Sequence, residues 1–191
     1  ALSVADRAVA AALDPLEALA VRARLRGRAG ELPGARADVD RALILRPDDP
    51  GLLELRGRLE IAAGRLEVGL ADLDRALCFG AGGSARAERA RVGMALDRPE
   101  EALDDWSRVV ADAPDDPDAL LGRARAFVRL RLWDQALADL ERAAGRSAPG
   151  SPGFGRITRT YAACLLGRPD RLPRVFALAL RWGLARFVPA P

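Results

Sequence analysis

Ala37-Asp38-Val39-Asp40-Arg41-Ala42-Leu43 is restated, with substitutions, as Ala71-Asp72-Leu73-Asp74-Arg75-Ala76-Leu77, as Asp104-Asp105-Trp106-Ser107-Arg108-Val109-Val110 and as Ala138-Asp139-Leu140-Glu141-Arg142-Ala143-Ala144. The equivalent acids are Asp38, Asp72, Asp105 and Asp139, so the numbering advances by 34, then 33, then 34. A fixed period of roughly 20 to 50 residues marks stacked supersecondary units, each too small to bury its apolar face without a neighbour. Such an array points away from an active site and toward an extended surface.

One unit, residues 50 to 79, shows what is repeated. Leu52, Leu53, Leu55, Leu59 and Ile61 follow helical spacing behind Pro50, a residue suited to a first helical turn. Gly64 stops that helix, and Leu66, Leu70, Leu73, Ala76 and Leu77 then recur at steps of three and four, giving a second amphipathic helix. Small residues fall where the two helices must approach: Ala23, Gly57 and Ala124 in the first, and Ala35, Gly69, Ala102 and Ala136 in the second. Larger residues (Val39, Leu73, Trp106 and Leu140; Leu19, Leu53 and Leu120) are expected to fill the space between hairpins. Arg46-Pro47-Asp48-Asp49-Pro50 and Ala113-Pro114-Asp115-Asp116-Pro117 separate units, with one proline ending a helix and the next opening another.

Composition narrows the chemistry. Half of the 191 residues are hydrophobic, enough for one continuous array spanning residues 1 to 191. The thirty basic residues are all arginine, and lysine, histidine and asparagine are absent. No imidazole base, Schiff-base amine or histidine metal ligand is available, so no catalytic residue, metal ligand or cofactor site is assigned and the chain is read as no enzyme. The arginines are nearly balanced by twenty-seven interleaved carboxylates, giving a net charge of +3, whereas a nucleic-acid surface needs arginines clustered against few acids. Cys78 and Cys164 lie in different units and are expected to be free thiols. No apolar run reaches the roughly 18 residues of a membrane span, and a cytoplasmic location is expected.

The repeat resembles the tetratricopeptide repeat family, a 34-residue helix-turn-helix with small residues at the helix crossing, an alanine late in the second helix and a proline at the unit's end. Gly57, Gly69 and Ala76 carry the match in one unit, and Gly30, Ala35, Ala42 and Pro47 in another. The resemblance implies an all-α, right-handed superhelical solenoid. Repeats are expected at residues 16–49, 50–83, 84–116 and 117–150, with a degenerate repeat or cap at 151–188. The third repeat is one residue short, and the array is read as out of step at Gly80-Ala81-Gly82-Gly83 and at Asp97-Arg98-Pro99. Because Asp6-Arg7-Ala8-Val9 lies one period before Asp40-Arg41-Ala42-Leu43, residues 3–13 are expected to be a half repeat or a capping helix. The chain is therefore expected to be a segment of a larger protein or complex, with a neighbouring domain or subunit at either end.

In the resembled family the first helices line a concave groove in which peptides lie. Counted along each repeat, the groove positions are Ala20, Arg24 and Arg28; Glu54, Arg58 and Ile61; Glu88, Val92 and Ala95; and Leu121, Arg125 and Arg129. Arginine recurs at one level, Arg24, Arg58 and Arg125, interrupted at Val92. Forked, charge-assisted hydrogen bonds from such a ladder suit an acidic or carboxylate-ended peptide, although Glu54, four residues before Arg58, favours an intrahelical pair there. Arg22, Arg56 and Arg123 form a second column expected to pair with Asp38, Asp72 and Asp139. The acid pairs Asp48-Asp49 and Asp115-Asp116 read as helix caps, and Gly80-Ala81-Gly82-Gly83, lacking a following Lys-Ser or Lys-Thr, reads as a joint rather than a phosphate loop.

At the C-terminal end the last helix is apolar around more than one face, and Trp182 and Phe187 are expected to meet a partner surface. The function expected is a non-catalytic protein-binding scaffold, its partner a protein or peptide of acidic character. Two alternatives stay open: a regulatory or assembly region of a multidomain enzyme, and an RNA-binding helical repeat.

Overall fold

The computed structural model describes residues 15 to 166. Among these residues there are nine helices and no strand: α1 (Pro15–Arg28), α2 (Leu32–Leu45), α3 (Pro50–Ala62), α4 (Leu66–Cys78), α5 (Gly83–Ala95), α6 (Pro99–Asp112), α7 (Pro117–Arg129), α8 (Trp133–Arg146) and α9 (Pro152–Leu166). The chain is an all-α helical repeat of the solenoid class. It divides into two compact units, residues 1–97 and 98–191. The expected half repeat at 3–13 and the apolar C-terminal helix with Trp182 and Phe187 lie outside the described residues.

Local chemistry sets the helix ends. Asp49 caps α3 by accepting the Leu52 N–H at 3.0 Å, and Asp116 caps α7 by accepting the Asp118 N–H at 2.9 Å. In each case proline follows at the first helical position, where its missing N–H leaves no bond unmade. The turns inside the hairpins need a left-handed residue. Gly30 (φ 83°) and Gly64 (φ 79°) supply it without a Cβ penalty, while Asp97 and Arg131 hold φ of 59° at the equivalent places.

These turns also correct the register of the third repeat. The left-handed residue moves from Gly64 to Asp97 and the helix start from Pro50 to Gly83, each a step of 33. Helix α4, at 13 residues, is one shorter than α2. The missing residue is thus lost at the end of α4, beside the first of the two expected places, Gly80-Ala81-Gly82-Gly83, and not at Asp97-Arg98-Pro99. Every position in α5 shifts by one relative to the sequence count. The ladder position in α5 is Arg91, which is exposed, and Val92, which is 3% exposed, belongs to the core.

Within the first unit, Leu19, Val39, Leu53 and Leu73 are buried, and Leu73 packs against Gly57 of its own hairpin. Helices α3 and α4 touch backbone to backbone, since a Cβ on Gly69 would lie 2.8 Å from the Gly57 carbonyl oxygen and 2.6 Å from Ile61 Cγ1. Ile61 therefore packs inward rather than onto an open groove. In the second unit, Trp106 of α6, Leu120 of α7, Leu140 of α8 and Ile157 of α9 form the core. Trp106 lies against the bare Cα of Gly122, where a Cβ would come within 2.5 Å of its ring. Cys78 is exposed, Cys164 is buried, and both are free thiols. No described helix is long and apolar enough to cross a membrane.

Candidate functional site

Arginine appears twice, two residues apart, on the first helices: Arg22 and Arg24 on α1, Arg56 and Arg58 on α3, Arg123 and Arg125 on α7. Two residues correspond to about 200° around a helix, so one member of each pair faces the second helix and the other faces away. Helical geometry thus gives chemically identical side chains opposite tasks.

The inward members are structural. Arg22 forks Asp38 of α2 at 2.8 and 2.5 Å, Arg56 forks Asp72 of α4 at 2.8 and 2.6 Å, and Arg123 forks Asp139 of α8 at 2.7 Å on both arms. This is the column of ion pairs expected from the sequence. The three carboxylates are almost fully buried, and accepting these bonds holds the Arg56 and Arg123 guanidinium groups above their ordinary values despite partial burial. Arg26 adds a bond to Asp38 at 2.8 Å. Arg56 also reaches back to Asp40 of the preceding hairpin at 3.3 Å, so one guanidinium ties both helices of its own repeat to the repeat before it. Glu60, fully buried in α3, acts likewise between Arg36 of α2 at 3.1 Å and Arg65 at the start of α4.

The outward members are exposed. Arg24 and Arg28 make no hydrogen bond or ion pair with another described residue. Arg58 is held by Glu54, one turn back, at 2.8 Å, and Ser84 of α5 donates to the same carboxylate oxygen at 2.8 Å. Arg91 pairs with Glu88 at 2.9 Å. Ala20, Val92 and Leu121, counted as groove positions in the sequence, are instead buried. In the first unit α1 packs beside α3 and α3 beside α5, so Arg24, Arg58 and Arg91 stand on successive, adjacent first helices.

In the second unit α7 packs beside α9. Arg125 is exposed on α7, as is Arg129 one turn later. Helix α9 starts at Pro152, 35 residues after Pro117, so the position equivalent to Arg125 is Thr160, and Arg159, which is exposed, stands one residue before it. Partial burial, and then the neighbouring charges of Arg156 and Arg159, lower the Arg125 guanidinium from its ordinary value, against a smaller opposing pull from Asp118. Arg156 bridges to Asp118 on the first turn of α7 at 2.8 Å, and Arg159 Nε donates to the Gly155 carbonyl at 3.2 Å. Sequence reasoning missed Arg91, Arg156 and Arg159. The shortened step from Asp72 to Asp105 was the available signal for Arg91.

No group of three or more metal-ligating side chains occurs among the described residues. The sequence model described as Tetratricopeptide repeat matches residues 20–86 and 88–152. Among solved structures, the chain is similar to YrrB, described as a TPR protein with an unusual peptide-binding site, at 19% identity and a TM-score of 0.72, covering 93% of this chain and 98% of that one. It is similar to the MamA protein at 17% identity and a TM-score of 0.76, covering 92% and 97% respectively. It is also similar to TTC0263 of Thermus thermophilus, a thermophilic TPR protein, at 21% identity and a TM-score of 0.65, covering 86% and 89%. At these identities the likeness speaks for the fold. No curated protein sequence matches the chain.

Proposed function

We propose, on the premise that the chain belongs to the tetratricopeptide repeat family, that it is a non-catalytic scaffold that captures an acidic segment of a partner protein on the exposed arginines of its first helices. The fold is typical of protein–protein interaction scaffolds. The observation that carries the reading is the division of each arginine pair: Arg22, Arg56 and Arg123 are consumed by buried carboxylates, whereas Arg24, Arg28 and Arg125 have no hydrogen-bonding or ion-pair partner among the described residues. A helix that needed arginine only for internal pairing would have no use for the second column.

Exposed guanidinium groups hold carboxylates through forked bonds that a partner's surface can desolvate. Acids are interleaved with the arginines, as Glu54 is at Arg58 and Glu88 at Arg91, which disfavours a nucleic-acid backbone and suits a peptide whose carboxylates alternate with neutral residues. The expected contact residues are Arg24, Arg28, Arg58, Arg125 and Arg129, with Arg91 added. Capture of a glutamate-rich peptide by the full chain, followed by fluorescence anisotropy, is expected to be abolished by joint substitution Arg24→Glu, Arg58→Glu and Arg125→Glu. Unchanged binding by that variant refutes the reading.

A further inference from the structure

We propose that Arg125, Arg156 and Arg159 together form a binding site for a phosphate monoester, the side chain of a phosphorylated serine or threonine in the partner segment. The inference rests on the reading of the first-helix arginines as a peptide-binding face and names the chemistry of one place on it.

Three observations converge there. Helices α7 and α9 are packed side by side, and the Arg156–Asp118 bridge at 2.8 Å fixes their relative register at the N-terminal turn of α7. Asp118 and Arg125 are seven residues apart, two turns along one face of α7, and Arg156 and Arg159 are three apart, one turn along α9. Arg125 therefore lies where both α9 arginines act on it, and those two guanidinium groups together with Asp118 are the charges that perturb it. Three cations against one anion leave a net charge of two at a site that stays exposed, with Asp118 countering one of the three guanidinium groups. Arg156 and Asp118 are themselves exposed, 46% and 62%, so Arg156 can exchange its carboxylate for a ligand without uncovering any core.

A single carboxylate neutralises half of that excess. A phosphate monoester carries a charge of about −1.5 to −2 at neutral pH and offers three acceptor oxygens, which matches three guanidinium groups in both charge and acceptor number. A phosphodiester carries one charge per phosphate and needs a stripe of cations along a strand. The placement of these three arginines on two packed helices, bounded by Asp118, favours the monoester.

The test uses the full chain and isothermal titration with four probes. Three are blocked peptides of equal length: one of glycine and alanine with a central phosphoserine, the same peptide with serine, and a glutamate-rich peptide without phosphate. The fourth is inorganic phosphate. The phosphoserine peptide is expected to bind at least about tenfold more tightly than its serine counterpart, as the gain of charge-assisted hydrogen bonds implies. Arg125→Gln with Arg159→Gln, both at exposed positions, is expected to erase that difference, and Arg24→Gln with Arg28→Gln to leave it intact. Equal binding of the serine and phosphoserine peptides, or a gain that survives Arg125→Gln with Arg159→Gln, overturns the proposal. Inorganic phosphate binding as tightly as the phosphopeptide would overturn the assignment to a protein side chain in favour of the free ion. If the glutamate-rich peptide binds and phosphate adds nothing, this site alone is refuted. If neither kind of peptide binds, the first-helix reading falls with it.

Discussion

Replacing Arg56 by glutamine and, separately, Arg58 by glutamine tests the division of labour most directly, because the two residues sit on the same helix and carry the same charge. Arg56→Gln removes two short bonds to Asp72, at 2.8 and 2.6 Å, and a third to Asp40 at 3.3 Å. The Asp72 side chain is only 6% exposed, so its carboxylate is left in the interior without its cation. Removing one partner of a buried pair costs about 3–5 kcal/mol. A glutamine amide can return one hydrogen bond, about 0.5–1.5 kcal/mol, which leaves a net loss of about 3 kcal/mol. For a chain of this length that corresponds to a fall in Tm of about 6–12 °C. Arg58→Gln breaks only the half-exposed pair to Glu54 within one helix, worth about 0.3–0.5 kcal/mol, and should lower Tm by no more than about 2 °C. Thermal unfolding followed by circular dichroism measures both, and peptide binding at about 20 °C, well below the melting range of most such domains, should show the reverse order, with Arg58→Gln the weaker binder. Stability losses within about 0.5 kcal/mol of each other would refute the assignment of inward and outward roles.

Arg131→Gly should raise stability by about 0.5–1 kcal/mol in urea titrations, because arginine holds φ at 59° where glycine pays no Cβ penalty; a loss would show that the Arg131 side chain makes contacts outweighing its backbone strain. Gly122→Ala should cost at least about 1–3 kcal/mol by driving a methyl into Trp106, readable in the tryptophan fluorescence as well as the melt. Gly145→Ala, within α8 and with nothing within 4 Å of the new Cβ, should instead add about 0.5–1 kcal/mol. Equal effects of these two substitutions would contradict the described packing of α6 on α7.

The helical-repeat fold was legible because its determinants are local and periodic. Pro50 behind Asp49, Pro117 behind Asp116 and glycines at 30 and 64 each state a helix boundary in one or two residues. The buried ion pairs were legible too, because arginine and aspartate sixteen residues apart meet across a hairpin whose length the period fixes. The register of α5 was less so. A deletion of one residue can be placed at either end of the helix on the evidence of spacing alone, and a shift of one position turns a residue by about 100°, enough to exchange exposed Arg91 for buried Val92. Among the described residues only the helix bounds and the left-handed turn at Asp97 locate the loss at the end of α4.

By itself, then, the sequence determined that this protein is a stack of helical hairpins and which arginine and aspartate pair inside three of them. Those properties depend on contacts between residues at fixed separations along the chain. The tertiary structure decided which arginines are left over and which of them stand together. Arg125, Arg156 and Arg159 belong to two helices, and their distances along the chain mean nothing until α7 and α9 pack side by side. Charge at a surface site is a sum over neighbours in space, and only the packing of one repeat on the next defines who those neighbours are.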